Sequence, residues 1–116
     1  MDLPKISSGS CMIRLVLTTF PDVEQAKQVT RQLVNGKLAA CGTILPAATS
    51  IYIWEGVQEE ASECLLLLKT SADRAQDLQT ELLKLHPYEV PEIVSIATDS
   101  CHHPYAEWVL RQCKEV

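Results

Sequence analysis

At 116 residues, 47 % of them hydrophobic, the chain has the size of one domain and can bury a core unaided, and with aromatics at only 5 % that core must be mainly aliphatic. A total of 10 Lys and Arg against 15 Asp and Glu leaves a formal charge of −5, and no basic cluster occurs, so a footprint for nucleic acid or an anionic membrane is absent. Five cysteines at 11, 41, 64, 101 and 113 form no CxxC pair, and CMIRLVLTTF (11–20) is too short to span a bilayer and is broken by Arg14, so a reduced, cytoplasmic setting without a targeting segment is expected.

Residues 1–11 are polar around Pro4 and Ser7-Ser8-Gly9-Ser10 and read as a flexible lead to a single domain over 12–116. Met12 to Thr19 is short, apolar and β-branched, which predicts a buried strand ending before Pro21. Asp22 with Gln25 three residues on makes a capping-box-like start, and Val23, Ala26, Val29 and Leu33 recur at helical spacing up to Asn35-Gly36. From Lys37 to Thr70 the chain reads as one long hairpin turning at Glu55-Gly56, where the glycine can supply positive φ. Pro46 within the first arm lacks a ladder donor and implies a bulge, a bend or an edge.

A second helix is expected to begin at Thr70 or Ser71, to carry Ala75, Leu78, Leu82 and Leu85 inward, and to stop at Pro87. Val90 to Ala97 supplies the last strand, and Pro104 opens a short C-terminal helix with Tyr105, Trp108 and Val109 facing inward. The order is β-α-β-β-α-β plus a helix, an α+β split βαβ pattern. Right-handed crossovers put both helices on one face of a four-stranded antiparallel sheet, so the other face needs cover. That bare face and the hairpin's excess strand point to a homo-oligomer.

No nucleophile elbow, Walker loop or dinucleotide fingerprint occurs, so binding rather than enzyme activity is expected. Cys101-His102-His103 lacks metal-ligand spacing and reads as a polar loop before Pro104. His86 at a helix end is explained by capping of the terminal carbonyls, while Pro87 and Pro91 stiffen the loop HPYEVPE in a way that suits binding. Cys41 reads first as a small core residue, Lys69 as a strand end able to hold an anion, and the aromatics as core or subunit interface.

KLAACGTILPAATSIYIWEGVQEE, LLLLKT, LHPYEVPEI and YAEW, in this order, resemble the CutA family of divalent-cation tolerance proteins over about Ile13 to Arg111. The resemblance implies a ferredoxin-like βαββαβ subunit with a long β2–β3 hairpin and a C-terminal helix, hairpins pairing across a homotrimer, and a role in copper or other divalent-cation homeostasis. It also implies a copper site of one cysteine in the first strand and two adjacent histidines closing the second helix. In LTTFPD and KLHPY those positions hold Thr18, Leu85 and His86, which leaves His86 as the one metal-ligand candidate. Cys41, Trp54, Lys69, Tyr88 and Tyr105 match positions that the family directs toward clefts between subunits, where a small effector would bind as in PII-like trimeric sensors. A protein-interaction adaptor using the C-terminal helix is a further alternative.

Overall fold

A computed structural model of the chain describes residues 12–114; the lead expected over 1–11 lies outside them. Strand β1 (Ile13–Phe20) sits inside a four-stranded sheet ordered β2-β3-β1-β4, with β2 spanning Cys41–Trp54, β3 Val57–Ser71 and β4 Ile93–Ala97. All three pairings are antiparallel. Helices α1 (Val23–Asn35) and α2 (Ala75–Leu85) cross between strands, and α3 (His103–Gln112) follows β4.

Period-two alternation decides which residues meet the helices. Val16 and Phe20 of β1 and Cys64, Leu66 and Leu68 of β3 alternate onto one face, where Ala26, Val29 and Leu33 of α1 and Leu78 and Leu82 of α2 close the main core. The opposite face carries Leu15, Leu17, Leu45, Leu65, Leu67, Val94 and Ile96, and α3 covers only its end, packing Ala106, Val109 and Cys113 against Ile13 and Ala40. Leu45, Val94 and Ile96 stay between 42 % and 46 % exposed.

Asp22 caps α1 as its sequence suggests: Oδ1 accepts the Gln25 N–H at 2.8 Å, and the Gln25 side-chain amide donates to Oδ2 at 2.8 Å. Glu55 and Gly56 both have positive φ, 50° and 80°, so the Trp54–Val57 pair is joined by a two-residue turn whose twist matches the strands. Pro46 falls where the β2–β3 register shifts between Leu45 and Ala48, with Ala47 at φ 60°, on the edge strand. Beyond the bulge the hairpin leaves the body: the radius of gyration is 15.6 Å, against about 13 Å for a compact chain of this length.

Three expectations change. β4 begins at Ile93, opposite Thr18, rather than at Val90. β3 continues through Ser71, paired with Ile13, and α2 starts only at Ala75, because the Ser71 Oγ and carbonyl both accept the Arg74 N–H and form a turn there. On α3, Ala106 and Val109 face inward as the burial pattern of one stripe requires, whereas Tyr105 and Trp108 lie outward, 37 % and 36 % exposed, with ring centroids 5.9 Å apart.

Candidate functional site

His86 ends α2 in extended backbone (φ −75°, ψ 136°), the conformation a following proline favours. Its ring stacks on Phe20 with centroids 4.3 Å apart and is 8 % exposed. Nε2 lies 2.8 Å from the Thr19 carbonyl oxygen and 3.1 Å from the Thr18 hydroxyl, and Nδ1 accepts the Tyr88 backbone N–H at 3.1 Å. A carbonyl only accepts and an amide N–H only donates, so these partners fix a neutral ring protonated on Nε2. Burial holds the His86 pKa below the ordinary 6.5, against opposing pulls from the Thr19 carbonyl and the Glu63 charge.

The single ring lone pair is therefore taken by the Tyr88 amide, and metal ligation at His86 would require that bond to break. Among the described residues no group of three or more His, Cys, Asp and Glu side chains is arranged to hold a metal ion. One chain's donor set thus does not fit a copper site built on His86. The alternative explanation by capping also changes: His86 bonds the end of β1, not the terminal carbonyls of α2. His103 turns its Nε2 to Glu107 one helical turn on, and His102 stands at the start of α3 without a side-chain cap bond. Cys101 packs toward the apolar cluster under α3, so the Cys101-His102-His103 run does not converge.

The five cleft candidates divide into two places. Cys41 and Lys69 are directly paired across β2 and β3, with the ammonium 3.5 Å from the Cys41 Sγ and hydrogen-bonded to the Thr43 hydroxyl. Tyr105 of α3 joins them; burial raises its pKa, with Cys41 and Cys101 adding to the shift. Among the described residues Lys69 has no carboxylate partner, which leaves a half-buried cation beside a hydroxyl and a thiol, with Tyr105 on the far side of Cys41.

Tyr88 and Trp54 belong to the other place, a groove of about 700 Å³ where the hairpin leaves the sheet. The Tyr88 hydroxyl donates to Glu63 Oε2 at 2.8 Å, and burial together with that bond pushes its pKa well above the usual range. Trp54 lies near the hairpin tip, 57 % exposed, about 40 Å along β2 from Cys41 at the rise of an extended strand.

Thr18, which the resemblance sets at the same site as His86, does meet its ring, whereas Thr19, Thr43 and Glu63 were missed as functional neighbours. Counting back from the turn pair Trp54–Val57 would set Cys41 opposite Thr70; only the bulge brings it opposite Lys69. Glu63 meets Tyr88 across 25 residues of chain, for which no local pattern exists.

The sequence profile of the CutA1 divalent ion tolerance protein family matches residues 14–112. A protein CutA homolog of Xenopus laevis is 42 % identical over 102 residues, which are 88 % of this chain and 66 % of that protein's length. The divalent-cation tolerance protein CutA of Yersinia pestis (strain Pestoides F) is 40 % identical over 95 residues, 82 % of this chain and 80 % of that one. Among solved structures, CutA of Xylella fastidiosa superposes with a TM-score of 0.87 at 36 % identity, over 90 % of this chain and all of that one (100 %). A CutA of Archaeoglobus fulgidus, described as a periplasmic divalent cation tolerance protein, gives 0.85 at 28 % identity, over 89 % of this chain and 100 % of that one. No helix among the described residues is long and apolar enough to cross a membrane.

Proposed function

The chain belongs to the CutA1 divalent ion tolerance protein family, and from that membership we propose that it serves divalent-cation tolerance as a homotrimer, by binding rather than catalysis. The observation that carries the oligomer is uncovered apolar surface: Leu45, Val94 and Ile96 on the sheet, Trp54 and Val57 on the same side of the projecting hairpin, and Ile51 and Ile53 on the hairpin's other side. Burial of each such side chain contributes about 1.5–3 kcal/mol. Seven together outweigh the cost of association, and β2, an edge strand over its whole length, offers unpaired backbone to a neighbouring copy. A reducing, cytoplasmic setting suits Cys41, Cys64, Cys101 and Cys113, which form no disulfide among the described residues.

Copper is the ion to test first, at His86, and a neighbouring copy must supply the donors that one chain lacks. Native mass spectrometry of the reduced protein during a copper titration reads both parts of the proposal. A trimer that takes up one copper per chain, and loses it in His86→Ala with the trimer mass unchanged, supports both. A trimer without saturable copper refutes the ion assignment and leaves the assembly; a monomer refutes the assembly.

A second reading rests on Lys69. A half-buried ammonium without a carboxylate partner among the described residues, beside Thr43 and Cys41, suits an anionic effector in a sensor of PII-like plan. An anionic metabolite should then raise the melting temperature of the wild type and not of Lys69→Ala. A broad panel without any shift would dispose of this reading.

A further inference from the structure

One pair of donors on α3 serves neither reading. Ala106, Val109 and Cys113 of this helix pack inward, which leaves two flanks. Tyr105 and Trp108 make one, and Tyr105 leans toward Cys41 and so toward the sheet face that a neighbouring copy covers. His103, Glu107 and Arg111, each one helical turn from the last, make the other. Leu110 and Arg111 border a cavity with Asp73, Arg74 and Asp77 at the start of α2, so this second flank turns toward the helix side of the sheet.

His103 Nε2 stands 2.5 Å from Glu107 Oε1, while the Arg111 guanidinium, 3.6 Å away, holds the other carboxylate oxygen. One helix positions both donors, so the pair exists within a single chain and needs no partner to complete it. The His103 side chain is 23 % exposed and that of Glu107 49 %. A metal–donor distance of about 2.1 Å sets two donors about 3.0 Å apart at a right angle and about 3.4 Å apart at the tetrahedral angle. The observed spacing is nearer the right angle, which tetragonal and octahedral ions use and zinc in a structural site does not. One imidazole nitrogen with one carboxylate oxygen suits copper(II) or nickel(II), whereas magnesium and calcium take oxygen alone. Arg111 opposes a cation, but at 63 % exposure its charge is largely screened by water. Among the described residues no third His, Cys, Asp or Glu joins the pair, so the remaining positions on the ion fall to water.

We propose that His103 and Glu107 form a two-donor chelate for a late first-row divalent cation, copper(II) or nickel(II), on the flank of α3 that faces away from the oligomer. The ion takes the place of the proton between Nε2 and Oε1. The proposal goes beyond the copper reading at His86, which needs donors from a second copy.

The test is calorimetric titration of the full, assembled chain with nickel(II) chloride, an ion that thiols do not reduce. Nickel should bind saturably at one ion per chain. His103→Ala should abolish this binding, and the isosteric Glu107→Gln should weaken it at least about tenfold, the scale on which even outer-shell partners of a metal act. His102→Ala, which removes the neighbouring imidazole, should leave the isotherm unchanged, and magnesium chloride should give no saturable heat. Absence of saturable nickel overturns the proposal and leaves copper at His86 to its own titration. Binding that survives His103→Ala and is lost in His86→Ala overturns it in favour of the earlier site. Binding undiminished by Glu107→Gln, or lost in His102→Ala, reduces the site to an adventitious imidazole and overturns it as well.

Discussion

Replacing His86 by Ala should remove a pH-dependent part of the stability of this protein. In the wild type the Thr19 carbonyl receives the Nε2 proton and the Tyr88 amide points at Nδ1. Protonation sets an Nδ1–H against the Tyr88 N–H at 3.1 Å, with the Glu63 carboxylate and the Tyr88 hydroxyl as the titratable groups nearby. The folded pKa lies below 6.5 and the unfolded one at the ordinary value, so the contribution is whole above pH 6.5. As pH falls below that, the unfolded chain takes up a proton the folded chain resists, and stability drains away until the folded pKa is reached; each unit between the two values is worth about 1.4 kcal/mol. At pH 8, His86→Ala should cost about 3–5 kcal/mol: about 1–3 from the unpaired buried carbonyl and about 2 from the void beside Phe20. Urea midpoints at one fixed protein concentration, from pH 8 to pH 5, measure both quantities. Parallel pH curves for the two proteins, or a loss below about 1 kcal/mol at pH 8, would refute the account of the ring as a neutral pin.

Gly42→Ala should be destabilising, because its Cβ would lie 2.6 Å from the Thr30 Cγ2 of α1 and 3.1 Å from a Leu68 methyl; a loss of about 1–3 kcal/mol is expected, largely restored by Thr30→Ser in the same chain, and denaturation of the pair as a double-mutant cycle measures it. Val94→Asp puts a charge on the uncovered sheet face without touching the core, so sedimentation should show a folded monomer; a persisting trimer would count against that face as the interface. In an ultraviolet titration of the three tyrosines, Tyr88 and Tyr105 should both ionise above the usual value; the most resistant step should vanish in Tyr88→Phe but yield only partly in Glu63→Gln, since burial is the larger cause.

Where function and fold were legible in the sequence, a local rule was at work. Glu55-Gly56 announces its hairpin because two positive φ angles favour glycine in the second place, Asp22 announces α1 through its side-chain oxygen, and Pro46 announces a disturbed edge through its missing N–H. Long-range geometry had no such marker. Thr70 and Ser71 have the side chains of a helix start, yet pairing with β1 extends the strand through both, and the Thr70 hydroxyl donates to the Leu38 carbonyl instead. Tyr105 and Trp108 are expected inward with Val109, but the stripe of α3 that meets Ile13 and Ala40 is narrow and takes Ala106 and Val109. The neutral state of His86 rests on Thr19 and Tyr88 together, and only one of these is near it in sequence.

The bulge at Pro46-Ala47 has a consequence for how such a chain can change. Upstream of it, the odd-numbered residues Cys41, Thr43 and Leu45 of β2 face away from the helices; downstream, the even-numbered Ser50, Tyr52 and Trp54 do. Deleting position 47 would set Pro46 opposite Cys64 and leave Ala48 opposite Glu63, Tyr52 opposite Glu59 and Trp54 opposite Val57, so every side chain beyond keeps its side. What the deletion removes is the local bend and the added twist with which the arm leaves the sheet. The extra residue therefore sets the direction in which the hairpin projects, while the order of the side chains along it is set from the turn.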